Sequence, residues 1–157
     1  MANPQQLIRR IPLELDNIEK TANRAQIGWQ KYKKSGDALY LDSVAMSLHG
    51  FYNGIEGLLE NIATGLDRHL PGGNSWHKDL LEQMANELPD IRPAVISRAT
   101  LDDLGEYLGF RHVVRNIYSY QIDPEQLEPL AENVRSVFDQ VRQELTDFVR
   151  WLSGFSL

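Results

Sequence analysis

Apolar residues recur every three or four positions through three long stretches of the chain, and that spacing admits few folds. Ile8, Ile11, Leu15, Ile18, Ala22, Ala25, Trp29 and Tyr32 fall on one side of a first helix. Leu41, Val44, Leu48, Phe51, Ile55, Leu58, Ile62 and Leu66 do the same for a second, and the positions from Leu127 to Leu152 for a third. Nothing alternates with the period of two that a half-buried strand needs. The expectation is an all-α protein.

Local signals set the boundaries. The first helix should run from about Gln5 to Ser35, with Pro12 early enough to kink or delay it. Lys33, Lys34 and Gly36 suit its end. Asp37 can cap the second helix, which should reach about Leu70 and stop at Pro71-Gly72-Gly73. At 1.5 Å per residue each is roughly 45 Å long, and a short turn between them makes an antiparallel hairpin. Asn74 or Ser75 can cap a shorter helix from Trp76 to Leu88. Pro89 and Pro93 then hold an irregular link whose apolar residues should lie across the bundle. Thr100 to Asp103 has capping-box spacing, with Asp in the usual Glu place, and opens a helix from about Leu101 to Tyr118. Gly105 and Gly109 weaken that helix or let another backbone come close. Asp123, Pro124 and Gln126 mark the last start, with Ile122 and Leu127 at staple spacing. The last helix should end near Ser153-Gly154.

The sum is a single domain over residues 1–157, an antiparallel up-and-down bundle of three long helices plus two shorter ones. Helices of this length often leave a face for a partner, and a symmetric homodimer is the commonest such arrangement.

Composition narrows the function. The net charge of −6 does not advertise a nucleic-acid partner, so any such site must be a local basic patch. The absence of cysteine removes disulfides, thiolate nucleophiles and cysteine metal sites. No apolar run approaches the ~18 residues of a membrane span, and the N-terminus lacks the apolar core of a secretory signal. A cytoplasmic protein is expected.

Most candidate chemistry dissolves on inspection. His49, His69, His77 and His112 form no His-x3-His or Glu-x2-His ligand pair, so neither a metal nor another cofactor is expected. Glu56 and Glu60, one turn apart, read as a solvated helix face. There is no phosphate loop after a strand and no serine elbow. Trp76-His77 could place a neutral histidine at a helix N-terminus; the favoured reading is an anchoring Trp76 with His77 as polar surface. Phe51 and Tyr52 read as core and core edge.

One stretch survives, Phe110 to Tyr120, FRHVVRNIYSY. On a helix Arg111, Arg115 and Tyr118 share a face at i, i+4 and i+7, and His112 and Asn116 pair beside them. Two guanidiniums beside a phenol make a site for phosphate oxygens. A cationic surface turn answering acidic neighbours would look the same, and spacing alone leaves both open.

The stretch resembles the Arg-x4-His-x-Tyr signature of the HEPN superfamily, most closely its HepT-like toxin branch. Arg111 fills the first place, Asn116 stands where His belongs, and Tyr118 fills the third. LHGFYNGIEGLLENIA, PGGNSWHKDLLEQM, RPAVIS and LGFRHVVRNIYSYQID resemble this branch in order, over roughly residues 40–125. The resemblance implies a dimerising helical bundle with both motifs facing one cleft. It implies metal-independent endoribonuclease activity on tRNA or mRNA, in which the ribose 2′-OH attacks the adjacent phosphate. It also implies a toxin–antitoxin pair with an MNT-type nucleotidyltransferase that silences the toxin by attaching AMP to the motif tyrosine. On that pattern Arg111 is the catalytic phosphate ligand and Tyr118 the AMP acceptor. Arg115 is a second RNA phosphate contact on the facial reading, with His112 beside it.

The departure falls on the proton-transfer position. Asn116 can donate and accept hydrogen bonds but cannot shuttle a proton near neutral pH. Three explanations follow: a natural member, weak or inactive, that binds RNA or an antitoxin; an engineered substitution that lets a toxic protein be produced; or His112 in the proton-transfer role. The alternative to a nuclease is a non-catalytic helical module that binds nucleotide, RNA or a nucleotidyltransferase.

Overall fold

The computed structural model describes residues 3–155, without the side chain of Phe155. Residues 1, 2, 156 and 157, the ends of the expected domain, lie outside that range. The described residues form five α-helices and no strand, with one isolated bridge between Leu88 and Arg92. The helices are α1 (Pro4–Ser35), α2 (Leu39–Ile62), α3 (Trp76–Ala85), α4 (Arg98–Arg115) and α5 (Pro124–Phe155). This is the all-α helical bundle that the apolar spacing calls for.

The local signals explain most of the starts and stops. Asn3 and Gln6 exchange side-chain to backbone hydrogen bonds that open α1, with Pro4 in its first turn. The helix runs on through Pro12. It ends at Gly36, whose φ of 69° is left-handed and whose N–H donates to the Tyr32 carbonyl at 2.7 Å. At the next residue the Asp37 carboxylate accepts from the Leu39 N–H at 2.9 Å and opens α2. Asp123 does the same for α5, accepting from the Glu125 N–H at 2.9 Å.

Packing follows from the stripes. A Cβ on Gly54 would stand 2.7 Å from Cγ1 of Ile18, so this glycine lets α1 and α2 approach closely. Phe51, fully buried on α2, packs its ring against Tyr107 of α4 and Phe138 of α5 at 5.3 and 6.5 Å. The Tyr107 hydroxyl donates to the Leu130 carbonyl at 2.8 Å, so its one polar group is satisfied in the core. Each such ring or aliphatic side chain contributes about 1.5–3 kcal/mol on burial. Surface pairs such as Lys33–Glu132 at 2.9 Å add at most about 1 kcal/mol each.

Four boundaries differ from the sequence reading, each for a physical reason. α2 gives way at Ala63–Asp67 to one wide turn, where the Thr64 hydroxyl bonds back to the Glu60 carbonyl, and left-handed Arg68 ends it. It therefore stops short of Leu70. α3 stops at Ala85 rather than Leu88, because Arg92 draws the carbonyls of Gln83 and Asn86 to its guanidinium. α4 starts earlier than Leu101: Ser97 is its cap and accepts from the Thr100 N–H at 3.1 Å. It also ends earlier, at Arg115. Asn116 is the residue after it, with its N–H on the Val113 carbonyl and its side-chain amide on the His112 carbonyl at 2.7 Å. Gly105 and Gly109 meet no close backbone; space over both is open, and they line a groove of about 580 Å³ between α4 and α5.

The link after α3 does lie across the bundle, and Arg92 holds it there. Its side chain is fully buried and pairs with Asp67 through both carboxylate oxygens, at 2.6 and 2.7 Å.

Candidate functional site

The expected site straddles the last turn of α4. Arg111 is half-buried and donates from Nε to Oδ1 of Asn53 on α2 at 3.0 Å. Arg115, one turn later, is exposed and lines a cavity of about 380 Å³ between α2 and the α4–α5 connection. Among the described residues neither guanidinium has a carboxylate within 4.0 Å, whereas Arg92, Arg98, Arg135, Arg142 and Arg150 all do. A charge-assisted bond from either arginine to an anion would therefore break no existing ion pair. Asp42 is the acidic residue that shares the cavity with Arg115.

The shared face expected for Tyr118 does not form. The chain leaves α4 at Asn116, and Tyr118 has an extended backbone with φ −79° and ψ 151°. Its N–H donates to the Gln121 side chain at 2.8 Å, and its ring stacks on Tyr120 at 5.9 Å and 5° between planes. Both rings are open to solvent, at 72 % and 83 % exposure. Arg111 and Arg115 thus come together, while Tyr118 projects from the turn beyond them. His112 is exposed and does not line the cavity. Asn116 uses its amide to close the helix end, so its side chain is engaged in terminating α4.

The residue that sequence reasoning missed at this site is His49 of α2. It lines the same cavity as Arg115, with Asp42, Met46, Ile117 and Ser119. Its Nδ1 is buried and has no hydrogen-bond partner among the described residues. Burial first, then the positive charges of Arg111 and Arg115, hold its pKa below the ordinary imidazole value of 6.5. A signal for it existed in the sequence: His49, Asn53, Glu56 and Glu60 lie at i, i+4, i+7 and i+11, a polar stripe beside the apolar one of α2.

That stripe corrects two readings. Glu56 is 5 % exposed, not part of a solvated face. It bonds to Nδ1 of His77 at 2.7 Å, so His77 is a half-buried partner of α2 rather than polar surface. Trp76 stacks on that imidazole at 3.7 Å. Burial, then the charge of Glu56, raises the Glu60 pKa above the usual carboxylate value. The Tyr52 hydroxyl is buried beside Glu56, and burial followed by Glu56 pushes its pKa far up. Phe51 and Tyr52 are core, as expected. No group of three or more His, Asp or Glu among the described residues is placed to hold a metal, and no helix among them is long and apolar enough to cross a membrane.

Comparison with curated proteins and with solved structures gives no significant match. A protein-family model described as HepT-like protein matches residues 43–152. The match takes in most of α2, all of α3 and α4, and nearly all of α5, and leaves α1 outside. It contains the arginines, the histidine of α2 and the exposed tyrosines described above, and on that match the chain belongs to the HepT-like family of HEPN helical proteins.

Proposed function

We propose that this chain is the toxin of a HEPN/MNT-type toxin–antitoxin pair, a cytoplasmic single-domain endoribonuclease that works as a homodimer without metal or other cofactor. Arg111 and Arg115 hold the scissile phosphate of an RNA, and the 2′-oxygen of the adjoining ribose attacks it. The negative charge that builds on the phosphoryl oxygens then faces two guanidiniums. The partner is a small nucleotidyltransferase antitoxin that adds AMP to the Tyr118 hydroxyl. The observation that carries this reading is that Arg111 and Arg115, one turn apart, have no carboxylate partner among the described residues, with Arg115 lining a cavity, in a chain that is otherwise net acidic. The exposure of Tyr118 supports its role as acceptor.

A second reading is favoured by Asn116, whose amide is spent on the helix end and which has no proton to exchange. On that reading the same cavity binds RNA or the antitoxin without turnover. Incubating total cellular RNA with the chain, and with Asn116→His, in the presence of a chelator separates the two. The nuclease reading expects cuts ending in 2′,3′-cyclic phosphate, with Asn116→His faster by on the order of 10²–10⁴-fold. No cleavage by either protein leaves the binding module.

A further inference from the structure

Resting on the ribonuclease reading, we propose that His49 is the general base of this site, taking the proton-transfer role that Asn116 cannot fill. The role needs a group that is neutral near pH 7, has a free lone pair, and lies beside the phosphate-binding cations. Among the cavity residues His49 alone has that chemistry. It faces Arg115 across the cavity, and both Arg111 and Arg115 act on it electrostatically. The other charged group at the cavity is Asp42, one to two turns earlier on the same helix.

The ring's own bonding points the same way. A histidine kept for packing would have its buried nitrogen paired, because an unpaired buried polar atom costs about 1–3 kcal/mol. Nδ1 of His49 is buried and unpaired. In the tautomer that carries its hydrogen on Nδ1, Nε2 holds the lone pair that a general base needs. Burial, then the neighbouring guanidiniums, lowers its pKa and so favours the form that can accept a proton. The rival for the role, His112, is exposed and outside the cavity.

The step balances without a further reactant. Nε2 of His49 accepts the proton of the ribose 2′-OH, and the 2′-oxygen forms a bond to phosphorus. The bond from phosphorus to the 5′-oxygen breaks, and solvent water supplies the proton to that leaving oxygen. The product is a 2′,3′-cyclic phosphate and a free 5′-OH, and His49 then returns its proton to solvent.

The test compares the wild-type chain, His49→Gln, Asn116→His and the double variant on cellular RNA, with RNA binding measured in parallel by gel shift. His49→Gln is expected to lower the wild-type cleavage rate on the order of 10²–10⁴-fold while binding RNA as tightly as wild type. The wild-type rate, measured against pH, should fall as pH drops through a pKa below 6.5, because protonation removes the base. That wild-type profile is independent of whether the variant folds. Wild-type cleavage that His49→Gln leaves unchanged, or a profile without the acid limb, overturns the role of His49 and leaves the nuclease reading standing. Cleavage by Asn116→His but not by wild type does the same. No cleavage by any of the four removes the nuclease reading and His49 with it.

Discussion

Tyr118 and Asn116 stand two residues apart and play opposite parts. The Asn116 side chain folds back onto the His112 carbonyl and closes α4. The Tyr118 side chain is released into solvent by the turn that closure creates, and meets only Tyr120 among aromatic rings. A phenol in that position can reach into another protein's active site without any helix unwinding. On the proposed function, co-expression with an MNT-type nucleotidyltransferase should therefore yield a chain whose intact mass is raised by one or more AMP units, with Tyr118→Phe at the unmodified mass. Additions that persist in Tyr118→Phe would remove Tyr118 as the sole acceptor. The sequence made Arg111, Arg115 and Tyr118 visible because their types and spacing are local. It did not reveal that a cap bond at Asn116, two residues before Tyr118, would swing Tyr118 off the arginine face. His49 stayed hidden for another reason. Its significance comes from residues more than sixty positions later, and a lone histidine on an amphipathic helix carries no signal of them.

At the level of elements, the caps that were legible are those made within three residues, at Asp37 and Asp123. The ends that were misplaced are those set by long-range partners. Asp67 sits in the wide turn after α2 because Arg92, twenty-five positions later, takes both of its oxygens. Arg92 also donates to the carbonyls of Asn86, Pro93 and Gln83, so one side chain ties the exit of α2, the end of α3 and the link together. Removing one partner of a buried pair leaves the other charged and unsatisfied. Arg92→Ala should cost about 3–5 kcal/mol in urea unfolding. A loss below about 1 kcal/mol would mean that the pair behaves as an exposed one.

For the molecule as a whole, charge and shape pull in different directions. A chain of net charge −6 repels nucleic acid at a distance. On the proposed function, binding comes from the guanidiniums of Arg111 and Arg115, and salt should weaken it only modestly. Two phosphate contacts on a single strand correspond to a slope of roughly −1.4 in log affinity against log salt, at about 0.7 each. Arg115→Ala should reduce that slope by about one contact's share, and fluorescence anisotropy over a salt series would measure it. An unchanged slope would place the phosphates elsewhere. The bundle itself was legible almost entirely, since apolar stripes are the means by which the helices pack. The grooves between the helices were not, because they depend on which stripe meets which. The buried Arg92–Asp67 pair lies at one end of α2 and the exposed tyrosines lie beside the other. The pair that holds the fold and the exposed phenols thus sit at opposite ends of one helix, so a substitution at Tyr118 can be read apart from one at Arg92.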